Sequence, residues 1–61
     1  MEYIKQTYGV PAEVGGRVRY TGGKVSCEGT IKGSCNASLE ILLDGDDMSG
    51  VYHPTWELEY L

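Results

Sequence analysis

The chain is poor in the residues from which reactive centres are built. Its 61 residues include one histidine, two cysteines, one tryptophan and no phenylalanine. The single histidine, His53, excludes any site that needs several histidines, and the cysteines lack the Cys-x-x-Cys spacing of a zinc site. A catalytic histidine would need a nucleophile and an orienting carboxylate within reach, so we expect His53 to shape the turn before Pro54 instead. The sequence predicts no enzyme, no metal and no cofactor.

Long apolar runs are also absent. No segment approaches the roughly 20 residues that a membrane-spanning helix requires. The first residues, Met1–Gln6, contain no basic region followed by an apolar stretch, so they do not resemble a secretory signal. We therefore expect no membrane contact and a cytoplasmic location.

The two cysteines are expected to be free thiols. Cys27 lies on the inward parity of a predicted strand, and Cys35 lies in the connection that follows this strand. If the flanking strands form a hairpin, Cys27 is several residues from the turn. At about 3.3 Å per residue, the two Cα atoms exceed the roughly 7 Å separation that a disulfide tolerates.

Charge is distributed unevenly along the chain. All five basic residues fall in the first 32 residues beside three acids, which gives +2, whereas the remainder carries six acids and no base, which gives −6. One interpretation is a surface with a basic side that attracts anions. The other is that opposite charges pair across neighbouring strands. We favour the pairing of Arg17, Arg19 and Lys32 with Glu28 and Glu40.

Short alternating segments dominate the chain. Val25–Lys32 alternates without a break, which is the period-2 pattern of a half-buried strand. Gly29 on its inward parity is typical of a bulge or a sharp bend. Similar segments occur at Arg17–Thr21, Ser38–Asp44 and Trp56–Leu61. Four or five short strands in a chain of this length leave room for little except a small, strongly bent β-barrel.

The apolar residues available for a core are few. At roughly 25 cal/mol per Å² of buried apolar surface, such a core only just offsets the chain entropy. We therefore expect either a monomer or a homodimer. The predicted core residues are Val14, Val18, Tyr20, Val25, Ile31, Leu39, Ile41, Leu43, Val51, Trp56, Leu58 and Tyr60.

The two ends of the chain have different patterns. Residues 1–12 are a weakly patterned lead-in, with a short strand at Tyr3–Thr7 and no helix expected. Towards the other end, Asp44 and Gly45 predict a hairpin turn. A short strand at Val51–Tyr52 then leads into one 3₁₀ turn near Pro54 and a last strand at 57–60.

Surface groups are the remaining candidates for function. Tyr52, His53 and Trp56 lie on or beside one loop, which makes this loop the first candidate for contact with a protein partner. The strand that carries Arg17 and Arg19 ranks second. Small barrels hold RNA or single-stranded DNA in basic grooves with stacking aromatic residues. The alternative is therefore weak nucleic-acid binding. Its candidate residues are Arg17, Arg19, Lys24 and Lys32, together with Tyr8, Tyr52 or Trp56 on nearby loops.

Four segments carry a resemblance to a known fold. They are Gly15–Tyr20 (GGRVRY), Gly29–Gly33 (GTIKG), Leu39–Gly45 (LEILLDG) and His53–Leu61 (HPTWELEYL). Together they resemble an SH3-like small barrel of the KOW or Tudor-like pattern. The chain also resembles short uncharacterised proteins encoded by bacteriophages and prophages, which share a Tyr-Gly-Val-Pro start and a His-Pro-Thr-Trp ending.

These resemblances imply one SH3-like barrel domain over residues 1–61, with about five short antiparallel strands. They imply a non-enzymatic binding module of phage or prophage type, located in the cytoplasm of a bacterial host cell. KOW-type barrels imply contact with RNA, but the acidic pI of 4.6 favours a protein partner instead.

Overall fold

The structure is a computed structural model that describes all 61 residues. It contains one short helix followed by five strands. The helix is α1 (Glu2–Tyr8), and the strands are β1 (Arg17–Tyr20), β2 (Cys27–Cys35), β3 (Ser38–Leu43), β4 (Gly50–Tyr52) and β5 (Leu58–Tyr60).

The five strands form one open sheet in the order β4-β3-β2-β1-β5, and every neighbouring pair is antiparallel. The predicted all-β class and the number of strands are therefore confirmed. Strands β4 and β5 are the two edges of the sheet, and the connection 53–57 joins them. The rings of Tyr20 on β1 and Tyr52 on β4 lie 4.9 Å apart, although three strand spacings of about 4.8 Å separate these strands in a flat sheet. The sheet is therefore curled. Its more specific assignment as an SH3-like barrel stays a prediction.

The helix at the start of the chain corrects the expectation of a strand at Tyr3–Thr7. No side chain caps its beginning, but it ends at Gly9, which has φ 65° and donates its backbone N–H to the Lys5 carbonyl. Glycine adopts this left-handed conformation without a steric penalty. Ile4 is almost fully buried in the core. Tertiary packing therefore stabilises a helix that is too short to persist alone.

The core is smaller than the sequence predicts. Its six buried apolar residues are Ile4, Ala12, Val18, Ile31, Leu39 and Ile41, and the half-buried residues packed against them include Leu43, Tyr52, Leu58 and Tyr60. Tyr20 is also half-buried. Ile4 and Ala12 lie in the lead-in and were not predicted. The prediction was wrong for Val14, Val25, Val51 and Trp56, which are exposed.

Strand boundaries and strand faces explain three of these errors. Strand β2 begins at Cys27, so Val25 lies in the bend before it and is 73% exposed. Val14 lies in the turn that precedes β1. Val51 is the middle residue of the edge strand β4, between two half-buried residues, and its side chain points outward.

The irregularity in β2 lies three residues beyond the expected one. The register with β3 passes from Ile31 opposite Ile41 to Gly33 opposite Glu40, which leaves Lys32 as the extra residue of a bulge. Gly29 has a different role, because a β-carbon there would lie 2.7 Å from the Leu42 carbonyl oxygen. Gly29 therefore permits a close approach of β2 and β3.

The turns and cysteines agree with the sequence in part. Gly45 has φ 92° in the predicted turn after β3, where the Asp46 N–H donates to the Leu43 carbonyl. Both cysteines are free, as predicted, with Cys27 half-buried and Cys35 exposed. However, Cys35 is the last residue of β2 and does not lie in the connection. The 3₁₀ turn is not confirmed, because residues 54–57 form a turn followed by a bend.

Candidate binding surface

Three aromatic rings meet where α1 approaches the connection 53–57, and we call Tyr8, His53 and Trp56 the aromatic cluster. The imidazole of His53 stacks on the indole of Trp56, with ring centroids 4.2 Å apart and an angle of 12° between the planes. Tyr8 meets the same imidazole edge-on, at 5.1 Å and 73°. Such contacts contribute about 0.5–1.5 kcal/mol each beyond the area they bury. The helix that the sequence did not predict thus supplies one side of the cluster.

His53 is held in place by its own loop. The backbone N–H of Thr55 donates to His53 Nδ1 at 3.1 Å, and the Thr55 hydroxyl lies 3.1 Å from the same nitrogen. Because Nδ1 accepts this N–H, it carries no proton, and in the neutral ring the proton lies on Nε2. This contact from a side chain to the N–H two residues later has the form of an Asx turn. It agrees with the expectation that His53, directly before Pro54, shapes the turn, which the structure places at residues 54–55.

The rest of the connection is anchored to the sheet. Pro54 is buried, and its carbonyl accepts a hydrogen bond from the Tyr60 hydroxyl at 2.8 Å. Burial raises the pKa of Tyr60. At the far end of the connection, Glu57 has φ 56° and its carbonyl accepts the Thr21 N–H at 2.7 Å. The loop therefore has fixed ends and a fixed internal turn.

Trp56 is the exposed member of this arrangement. The sequence placed it in the core, but its residue surface is 69% exposed. One ring face contacts His53, and most of the remaining surface meets solvent. Tryptophan is strongly enriched among the residues that dominate binding at protein interfaces. An indole that is ordered by stacking but largely exposed is a suitable contact residue.

Tyr52 does not join the aromatic cluster. It is half-buried and packs against Tyr20 and the core. Burial, followed by the nearby charge of Asp46, raises the pKa of its hydroxyl. The three residues predicted for the loop surface are therefore divided, since His53 and Trp56 lie together and Tyr52 packs on the inside of the curled sheet.

The two arginines form part of a row of paired charges on the outer face of the sheet. The members of this charged row are Arg17, Arg19, Glu28, Asp44 and Glu59. Arg17 donates two hydrogen bonds to Asp44, at 3.0 and 2.6 Å, and lies 3.5 Å from Glu28. Arg19 lies 3.4 Å from Glu28 and 3.3 Å from Glu59. Glu59 and Glu28 are also its direct neighbours across β5 and β2.

The pairing of opposite charges is thus observed for both arginines, and Glu28 is the shared partner that the sequence indicated. The hydrogen bond from Arg17 lowers the pKa of Asp44. Glu40 is not a partner of any base and instead accepts the Ser49 hydroxyl at 2.9 Å. Lys24 and Lys32, the other two residues of the nucleic-acid alternative, form no ion pair within 4.0 Å and are exposed. The structure does not bring the four cations together into one unpaired patch.

The sequence contained a usable signal for the cluster. A histidine two residues before a threonine, with proline between them, has an acceptor placed for an Asx-like turn. In contrast, nothing in the sequence indicated that Tyr8 would reach the same ring, because that contact requires α1 and its packing on the sheet.

The structure contains no group of three or more histidine, cysteine or acidic side chains placed to hold a metal ion, and its surface has no pocket. Its one helix is too short and too polar to cross a membrane. No protein-family model, curated protein or solved structure matches the chain.

Proposed function

We propose that this chain is a non-enzymatic binding domain that contacts a protein partner through the aromatic cluster, with Trp56 as the central contact. The observation that carries the proposal is the 69% exposure of a tryptophan that is stacked on His53. Rigid aromatic contacts lose little conformational entropy on binding, so they provide affinity efficiently. Because its Nδ1 accepts the Thr55 N–H, His53 has a structural role in this surface and no catalytic role.

The pairing of charges supports a protein partner over a nucleic acid. A phosphate backbone is bound by cations that can exchange their counterions for phosphates. Arg17 already has Asp44 as a two-point partner, and Arg19 lies between Glu28 and Glu59. A phosphate would have to displace these carboxylates. Only Lys24 and Lys32 remain available, and two cations provide a weak, salt-sensitive attraction.

The proposed surface can be tested by capturing partners with the immobilised chain. The resemblance to phage and prophage proteins makes a bacterial lysate the first source. We compare the wild-type chain with Trp56→Ala and with Tyr3→Ala, and identify captured material by mass spectrometry. Tyr3 is a matched control because it is an aromatic residue of α1 that is 63% exposed and has no ring contact.

The proposal predicts a protein that binds the wild-type chain and Tyr3→Ala equally, but binds Trp56→Ala about thirtyfold less or weaker still. Central aromatic contacts at interfaces contribute about 2 kcal/mol or more. Equal capture by all three chains would contradict the proposal. The nucleic-acid alternative predicts a different result. Nuclease treatment would then abolish capture, and so would the double substitution Lys24→Gln with Lys32→Gln.

A further inference from the structure

The aromatic cluster is built around a histidine whose neutral form is required by a hydrogen bond. His53 Nδ1 accepts the backbone N–H of Thr55 at 3.1 Å. Histidine is the side chain whose charge ordinarily changes between pH 5 and 8. A proton added to the ring goes to Nδ1, because Nε2 already carries one in the tautomer that accepts this bond. The protonated nitrogen then faces the hydrogen of the Thr55 amide.

We infer that protonation of His53 breaks the His53–Thr55 turn and separates the stacked rings, so that the Trp56 surface requires the neutral imidazole and is lost when acid protonates the ring. This inference names a regulation of the proposed binding surface and rests on the proposed function for its consequence, but the conformational step is a property of the chain alone.

The Thr55 hydroxyl does not cancel this effect. It lies 3.1 Å from the same nitrogen and can accept a hydrogen bond from the protonated ring, because a hydroxyl is both a donor and an acceptor. The backbone N–H of Thr55 has no such flexibility, since it can only donate. Rotation of the imidazole away from this N–H would relieve the conflict, but it would also change the 12° stacking on Trp56 and the contact with Tyr8.

The groups around His53 provide no charge to hold the protonated ring where it is. His53 forms no ion pair within 4.0 Å. The elements beside it carry the phenols of Tyr3, Tyr8, Tyr52 and Tyr60 and three charged groups. Each charged group is already paired: Lys5 with Glu2 and with Glu13, and Glu59 with Arg19. The Glu57 carboxylate is directed towards Gly22 and Tyr20 at the far end of the loop. No carboxylate therefore offers a new partner in the same position.

The stacking on Trp56 opposes the separation of the two rings, and it also provides a readout. A protonated imidazole over an indole gains some cation–π attraction, which favours retention of the stack. The competing loss is the hydrogen bond that fixes the loop turn, and the two effects act on different atoms. The amide of Thr55 reports the turn, and the indole N–H of Trp56, the only tryptophan in the chain, reports the stack.

The test is an NMR titration of the full ¹⁵N-labelled chain from pH 8 to pH 5, with His53→Asn as the matched control. The asparagine side-chain oxygen occupies a position equivalent to Nδ1 and accepts the same N–H, but it does not titrate. In the wild-type chain we expect the Thr55 amide and the Trp56 indole signals to move with the titration of His53. We also expect hydrogen exchange at Thr55, corrected for its intrinsic pH dependence, to become roughly fivefold faster, the factor for losing one typical hydrogen bond.

In His53→Asn both signals should stay at their neutral-pH positions. A second variant, His53→Phe, keeps an aromatic ring but has no acceptor, so its Thr55 amide should exchange fast at both pH values. The inference is overturned if His53 titrates while the Thr55 amide and the Trp56 indole do not respond, if His53 does not titrate in this range, or if His53→Asn shows the same response as the wild-type chain.

The result of the NMR titration is independent of the result of the partner-capture experiment. If partner capture at pH 7.5 requires Trp56 but the Thr55 amide does not respond to acid, the pH switch is wrong and the binding surface stands. If the amide responds and capture does not depend on Trp56, the switch is real and the proposed function is wrong.

Discussion

Arg17 and Asp44 are joined by two parallel hydrogen bonds, Nη1 to Oδ1 at 3.0 Å and Nη2 to Oδ2 at 2.6 Å. The pair links β1 to the residue that follows β3, across the intervening strand β2. Arg17 Nη1 also donates to the Thr30 hydroxyl on β2 at 2.9 Å. The guanidinium thus connects β1, β2 and the turn that follows β3, and it fixes the position of this turn against the sheet.

Replacing Arg17 by lysine should lower the melting temperature slightly. An ammonium is a point charge and cannot reproduce the two-point geometry of the guanidinium, but the pair is exposed and solvent screens it. We expect the fall to be smaller than that caused by Ile41→Val, which removes one methyl group from the core. Thermal denaturation followed by circular dichroism compares the two variants. A larger effect from Arg17→Lys would mean that the charged row stabilises the fold more than its exposure indicates.

Loss of the Arg17–Asp44 ion pair should contribute to unfolding in acid. Arg17 holds the pKa of Asp44 below its usual value of 3.8, so the unfolded chain takes up the proton first as the pH falls. The contribution to stability is therefore complete above about pH 4 and is lost as the pH falls through the lower pKa of the folded state. Asp44→Asn removes this part of the pH dependence. Urea denaturation at pH 7 and pH 3 should show a smaller difference between the two pH values for Asp44→Asn than for the wild-type chain.

Gly29 should tolerate substitution far less well than Gly33, although both lie in β2. A β-carbon at Gly29 would lie 2.7 Å from the Leu42 carbonyl oxygen and 3.0 Å from Ile41 Cγ2, so backbone atoms would have to move. We expect Gly29→Ala to reduce the free energy of unfolding by about 1–3 kcal/mol, a large part of the stability of so small a domain.

The control variant is Gly33→Ala. The only atom near a β-carbon at this position is Glu40 Oε1, at 3.4 Å, at the end of a flexible side chain. Urea denaturation should give a free energy of unfolding close to that of the wild-type chain. Equal destabilisation by the two substitutions would show that the close approach of β2 and β3 at Gly29 does not determine the effect.

How far the sequence could predict this fold depends on the range of the interaction. The alternation in Val25–Lys32 and Ser38–Asp44 depends only on which face of a strand each side chain occupies, and the core positions Ile31, Leu39 and Ile41 follow from it. The helix could not be predicted in the same way. Seven residues without an N-terminal side-chain cap have little intrinsic helical stability, and α1 depends on the burial of Ile4 against the finished sheet.

The site shows the same division. Pairing between Arg17 or Arg19 and acids on neighbouring strands followed from charge and parity, because cross-strand neighbours are close whatever the tertiary structure. The aromatic cluster joins Tyr8 to His53 across 45 positions of the chain (53 − 8). A pattern of neighbouring residues cannot predict a contact over such a sequence separation. Trp56 was misplaced for a related reason. A large aromatic residue is a reasonable core candidate by type, but the turn at 54–55 directs it outward.

Because Trp56 is exposed, Trp56→Ala should leave the fold intact. The substitution removes the stacking contact with His53, and we expect a loss of about 0.5–1.5 kcal/mol. Leu39→Ala, at a fully buried position, should lose about 2–5 kcal/mol. The two variants are compared by urea denaturation followed by circular dichroism, since one of them lacks the fluorescent residue. Unfolding of Trp56→Ala under native conditions would return the indole to the core and would remove the basis of the proposed binding surface.

The hydrogen bond from Tyr60 to Pro54 should make the connection 53–57 sensitive to alkali. Burial raises the pKa of Tyr60 above its ordinary value of 10.0, and a tyrosinate cannot donate the 2.8 Å hydrogen bond to the Pro54 carbonyl. Because the neutral form is favoured in the folded chain, its contribution to stability is complete below about pH 10. It is lost as the pH rises through the raised pKa of the folded state.

Tyr60→Phe keeps the ring and removes the hydroxyl. At pH 8 it should be less stable than the wild-type chain by about 0.5–1.5 kcal/mol, the range for one hydrogen bond. Between pH 8 and pH 11 its stability should fall less than that of the wild-type chain. Some alkaline loss should remain, because the pKa of Tyr52 is also raised by burial and by the charge of Asp46. Urea denaturation at the two pH values measures both effects. If Tyr60→Phe loses as much stability in alkali as the wild-type chain, the loss would be assigned to Tyr52 on the opposite edge strand, β4. The anchoring of the connection 53–57 would then not depend on the Tyr60 hydroxyl.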